Sequence, residues 1–108
     1  LAYSHENKVT IAKAGAIPPL VKLLFDGSVV AKENAAGALA NLAGDSDNKV
    51  AIAEAGAIPI FAAFLTSGTA VVKEKAAAAL RKLAVNSGNQ VAIAEAGAIS
   101  PLVELLTS

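Results

Sequence analysis

Cysteine and tryptophan are absent from this 108-residue chain, and its aromatic residues are three phenylalanines and one tyrosine. Without cysteine there is no disulfide framework, no thiolate metal site and no thiol nucleophile, which fits a cytoplasmic or nuclear protein. The single histidine, His5, stands beside Glu6 in a polar link. With no second histidine or cysteine to join it, His5 reads as a solvated loop residue rather than a base or a metal ligand. Net charge is lacking too. Nine basic and nine acidic side chains sum to zero, so no whole-molecule field gathers nucleic acid or an anionic membrane, and only a local patch can form.

Long apolar runs are equally scarce. The one uncharged stretch that approaches the length of a membrane span, Ala55 to Val72, is interrupted by Gly56, Pro59 and Gly68. Thr66, Ser67 and Thr69 cluster near its end, and its counterpart earlier in the chain carries Lys22 and Asp26. It reads as helix, turn and helix of a soluble repeat. No basic region followed by an apolar core marks a signal peptide, and Leu1 opens in mid-pattern, as expected of a segment cut from a longer protein. Catalytic constellations are missing as well. The glycines fall singly rather than in a phosphate-cradling loop. Glu54 and Glu95 are copies of one position, held by Lys13 in the first copy, so they do not converge as an acid pair. The expectation is a protein that is not an enzyme and takes no cofactor and no metal.

What the chain does have is repetition. Asn7, Asn48 and Asn89 are spaced 41 residues apart, as are Gly15, Gly56 and Gly97, and Ile17, Ile58 and Ile99. The copies are 7–47 and 48–88, with a partial copy over 89–108 and the end of a preceding one over 1–6. A strict period of about 40 residues marks a stacked-repeat solenoid, in which each unit contacts its neighbours and the product is a long surface. A composition 55% hydrophobic and rich in alanine suits small residues between closely approaching helices.

Punctuation divides each copy into three helices. The first runs from about Asn7 to Ala14 and ends at Gly15, where a left-handed residue stops a helix; its copies end at Gly56 and Gly97. Pro18, at the opening turn where a missing donor costs nothing, starts a second helix reaching about Phe25. Pro59 repeats this, and Pro101 comes one residue later relative to Ile99. After a turn at Asp26 and Gly27, Ser28 can cap a third helix that runs to about Ala43 and carries Ala35, Ala36, Ala38, Leu39, Ala40 and Leu42. Thr69 can cap its copy, from about Ala70 to Val85.

Three helices in some 40 residues, together with the wording "NKVAIAEAGAIP" and "KENAAGALANLA", closely resemble the armadillo repeat. A HEAT repeat would show two helices and no short first helix ended by glycine. The resemblance covers essentially the whole chain, and the wording is most similar to plant and protist armadillo proteins. Some of those are joined to a U-box ubiquitin-ligase domain, which these 108 residues do not include. The resemblance implies an all-α, right-handed α-solenoid with three helices per 41-residue unit, whose third helices line a concave groove for extended segments of other proteins.

Family residues carry over position by position. Asn41 in "ALANLA" matches the asparagine whose side chain hydrogen-bonds a ligand's main chain; an amide offers both donor and acceptor. The other reading is that Asn41 caps or solvates the helix end. Asn34 lies seven residues earlier on the same face. In the second copy these positions are Lys82 and Lys75, with Arg81 adjacent, so the groove would attract a carboxylate or phosphate, and an acidic peptide is the implied partner. Ordinary solvated lysines are the alternative. Import receptors of the family place a tryptophan four residues before the asparagine; here those positions are Gly37 and Ala78, so cation–π recognition of basic peptides is not available.

A structural alternative arises from the chain ends. Leu1 and Ala2 align with Leu42 and Ala43, and no third helix follows to cover Ile99, Leu102, Val103, Leu105 and Leu106. Apolar surface left open there would let copies stack, pair or exchange helices as a self-assembling scaffold unit, a homo-oligomer through open ends.

Overall fold

The computed structural model describes residues 15–98 and 101–104, and every regular element among them is an α-helix. In chain order these are α1 (Ile17–Asp26), α2 (Val29–Leu42), α3 (Ser46–Glu54), α4 (Ala57–Ser67), α5 (Ala70–Leu83) and α6 (Ser87–Glu95), with residues 101–104 helical again. They form one complete three-helix unit, α3 to α5, between the last two helices of the unit before it and the first of the unit after it. The first helix expected over Asn7–Ala14, together with His5, lies outside the described residues.

Local chemistry explains most boundaries. Gly15, Gly56 and Gly97 all adopt positive φ, at 85°, 88° and 76°, a region that costs any residue with a Cβ about 1–2 kcal/mol. At Gly56 this conformation turns the chain through 82° between α3 and α4. That corner lies inside the uncharged run, and no single helix among the described residues is long and apolar enough to cross a membrane. Pro18 and Pro19 occupy the first turn of α1, where backbone N–H groups have no intrahelical partner. The Ser28 hydroxyl accepts from the Ala31 N–H at 3.2 Å, and the Thr69 hydroxyl accepts from Val72 N–H at 3.2 Å, capping α2 and α5 as the sequence suggests.

Two boundaries differ from expectation. The helix expected from Asn48 begins at Ser46, because the Asp45 carboxylate accepts from the Asp47 and Asn48 N–H groups at 2.9 and 3.4 Å and caps it there. Asn86 repeats the cap on α6, accepting from Asn89 N–H at 3.2 Å. The helix expected to reach Val85 ends at Leu83: the Val85 and Asn86 N–H groups fold back onto the Lys82 and Leu83 carbonyls, three residues behind.

The core is a thin seam shared between units. α2 packs most extensively on α5, while α1 lies on α2 and α4 on α5. Ala35, Ala36, Ala76 and Ala79 are buried at these contacts, and their small side chains let the backbones approach. Leu39, Ile52, Phe61, Leu80 and Leu83 fill the space that remains.

Polar groups lock the seam from within. Asn48 and Asn89 are buried, and their amides donate to the carbonyls of Leu42 at 2.9 Å and Leu83 at 3.0 Å. Each such bond is a second one to a carbonyl at the end of a third helix, which also accepts from the Asp45 or Asn86 N–H at 3.2 Å, and it ties that helix to the first helix of the next unit. The Asn89 amide also lies 3.5 Å from the Lys49 carbonyl one unit back. Replacing Asn48 with alanine removes a buried bond while the Leu42 carbonyl keeps the one from the Asp45 N–H, so we expect a loss of about 1 kcal/mol in urea unfolding. Gly56→Ala should cost about 1–2 kcal/mol through the left-handed backbone alone, while Gly88→Ala, at ordinary φ, should cost less in the same assay, through the approach of its Cβ to 3.2 Å from the Asn86 cap oxygen.

Candidate functional site

The third helices α2 and α5 stand side by side, and residues seven apart on each share one face. All six groove positions expected from the sequence, Asn34, Gly37, Asn41, Lys75, Ala78 and Lys82, line a single concavity of about 560 Å³ between these helices. Asn34 and Asn41 are exposed on its α2 wall, and Ala78 is half-buried opposite. Both amides therefore retain donors and acceptors for a peptide unit.

The lysines have duties within the protein that the sequence does not announce. The Lys82 ammonium donates to the Ala40 carbonyl at 2.9 Å. That carbonyl is among the last four of α2, which the helix leaves without a partner, and the positive charge also suits a helix C-terminus. Lys82 thus caps the helix of the preceding unit while keeping two ammonium hydrogens for other acceptors. The Lys75 stem lies across Gly37: a Cβ at position 37 would stand 3.0 Å from its Nζ and 3.3 Å from its Cδ. The missing side chain at Gly37 is what admits the lysine stem.

Glu74, Ala38 and Ala40 also line the concavity, and sequence reasoning missed them. Glu74 was findable as the copy of Glu33 one repeat later. Its carboxylate offsets part of the lysine charge, leaving the lining positive by one. At the rim, Thr69 donates its hydroxyl proton to the Glu33 carboxylate at 3.0 Å, a second polar link between units. No group of three histidine, aspartate or glutamate side chains able to hold a metal exists among the described residues.

The residues expected to self-associate are placed unevenly. Leu102 is half-buried and packs against the core, and Val103 is 53% exposed. Leu105 and Leu106 lie outside the described residues.

The model of the armadillo/beta-catenin-like repeat matches residues 4–44 and again 45–85. This chain belongs to the armadillo/beta-catenin-like repeat family. The second match starts at Asp45, the residue that caps α3. A computationally designed armadillo repeat protein for modular peptide recognition is 36% identical, with a TM-score of 0.89 over 97% of this chain. The designed armadillo repeat protein YIII(Dq.V1)4CPAF, solved in complex with the peptide (KR)4, is 35% identical, with a TM-score of 0.88 over 95% of this chain. The chain spans 45% and 44% of the length of those two proteins. No curated protein matches it.

Two substitutions separate the structural duties of these lysines from their charge. Lys82→Met keeps the stem but removes the bond to Ala40 and should lower stability by about 1 kcal/mol in urea unfolding. Gly37→Ala should leave stability unchanged or raise it by up to about 1 kcal/mol, since alanine favours the helix and the displaced neighbour is a flexible lysine stem. Loss of stability in that variant would mean that the Lys75 stem is held rigidly.

Proposed function

We propose that the concave face of α2 and α5 binds an extended segment of another protein, with acidic side chains favoured beside α5. The observation that carries this reading is the convergence of Asn34, Asn41, Lys75 and Lys82 on one depression. The amides of α2 pair with the ligand's backbone, which presents one donor and one acceptor per residue whatever its sequence. The ammonium groups of α5 meet its carboxylates or phosphates, which sets polarity and speeds encounter. Two solved relatives support the binding mode through what they recognise: one is built for modular peptide recognition and the other holds (KR)4. That second ligand is basic, whereas here Lys75 and Lys82 face the groove, so the preference in this chain is inverted. Nothing in this reading asks the protein for catalysis; its work is binding.

A peptide-library selection on the chain, with Asn41→Ala and Lys75→Glu variants run in parallel and folding checked by circular dichroism, tests the proposal. Lys75 is preferred to Lys82 because its charge can be reversed without breaking a helix cap. Acidic extended peptides should be enriched by the parent and weakened about tenfold or more by either folded variant, corresponding to one or two lost hydrogen bonds or a reversed ion pair. Their affinity should also fall as salt is raised. Enrichment of basic peptides, or equal binding by the variants, would sink it. Concentration-dependent association of the parent that is abolished by Val103→Glu would instead favour the self-assembling scaffold.

A further inference from the structure

The repeat acts as an internal control. Leu24 and Leu65 occupy the same position in successive units and are both buried, at 1% and 4% exposure. Their neighbours do not match: Phe25 is 75% exposed, and its copy is Thr66. A ring so exposed adds nothing to the seam that every unit must build. In a chain with three phenylalanines, a second one, Phe64, lies half-buried across from it.

Phe25 and Phe64, with Pro59, Ile60 and Ala63, line a cleft of about 300 Å³ between α1 and α4, in which Lys32 is the one charged lining residue. Past Lys32 and Phe64 the surface continues into a second hollow of about 180 Å³, walled by Val29 and Val72 on its apolar side and by Ser67, Gly68 and Thr69 on the other. Lys32 therefore stands between an apolar cleft and a smaller hollow with one apolar wall. Among the described residues no carboxylate pairs with its ammonium group. None of these residues lines the depression between α2 and α5.

One unit later the corresponding positions read Thr66 for Phe25, Ser100 for Pro59 and Glu104 for Ala63, while Lys73 repeats Lys32. The lysine belongs to the repeat, whereas three of its apolar neighbours, Phe25, Pro59 and Ala63, give way to polar residues one unit later. Apolar walls lower the local dielectric and strengthen the attraction of an ammonium for an incoming carboxylate, and contiguous exposed apolar surface marks a place where something docks.

We infer that the α1/α4 cleft docks a partner segment presenting two apolar side chains, one for each hollow, with a carboxylate between them that meets Lys32. The aromatic ring of Phe25 supplies rigid contact area and Lys32 fixes the register, so the cleft selects an acidic, amphipathic segment. This site is separate from the peptide groove and can be occupied with it.

The test is a ¹H–¹⁵N titration of the full chain with two short blocked peptides, one carrying two leucines flanking a glutamate and the other identical except for lysine in place of glutamate. The glutamate peptide should shift resonances of α1, α4 and the first turns of α2 and α5, leaving Asn41 and Lys82 unmoved. Phe25→Ser, a change at an exposed side chain, should weaken it by about tenfold or more, and Lys32→Glu should invert the preference between the peptides. Lys32→Gln should abolish the preference if the glutamate variant fails to fold. Absence of shifts at millimolar peptide, shifts confined to the groove, or equal affinity for both peptides would each overturn the inference. So would cleft shifts that appear on concentrating the peptide-free chain, which would assign the cleft to a second copy.

Discussion

A buried amide at the joint between units is the constraint on which the rest of this structure depends. Asn48 and Asn89 sit at the end of a third helix, and each gives the Leu42 or Leu83 carbonyl a second donor from inside the seam, beside the backbone N–H three residues on. Losing either bond inside the seam would cost about what a buried hydrogen bond contributes. Because the donor belongs to the next unit, satisfying the carbonyl also fixes the angle at which that unit departs. The alanine-lined seam then closes on geometry already set, and the third helices come to lie side by side as the wall of a concave face.

In the proposed binding mode that wall would combine two kinds of recognition. The amides of α2 would be indifferent to ligand side chains while the ammonium groups of α5 would not, so neighbouring units would read different properties of a bound segment. Lys82 joins the two tasks, since the ammonium that faces the groove is also bonded to the Ala40 carbonyl. In the proposed mode a ligand carboxylate arriving there would meet a charge already held in place, which would reduce the side-chain entropy lost on binding.

Signals confined to a few consecutive residues were the ones legible in the sequence. Glycines at a fixed period end first helices in the left-handed region, and Ser28 and Thr69 cap the third helices. The six expected groove positions share one depression because residues seven apart recur on a helix face whatever the fold around them. Contacts between units were not legible. Asn48 served as a marker of the period without a role, since its partner is a main-chain carbonyl with no sequence signature. The bond from Lys82 spans 42 residues, and the lie of the Lys75 stem over Gly37 depends on how closely two helices approach. The cap at Asp45 was visible in principle: Ser4, Asp45 and Asn86 recur at the same interval and are all good capping residues. The frame drawn from the asparagines passed over it.

The cross-unit bonds bear on how such a chain can be cut and rejoined. Glu33 with Thr69, Ala40 with Lys82 and Leu42 with Asn48 each pair a group in one unit with a group in the next. The smallest transferable piece is therefore not one repeat but the interface between two. A unit moved into another array would keep its own helices and lose half of each pair at both edges. Grafts would have to carry third helix and following unit together, and the 41-residue period of the text is out of step with the boundaries at which the molecule is divisible.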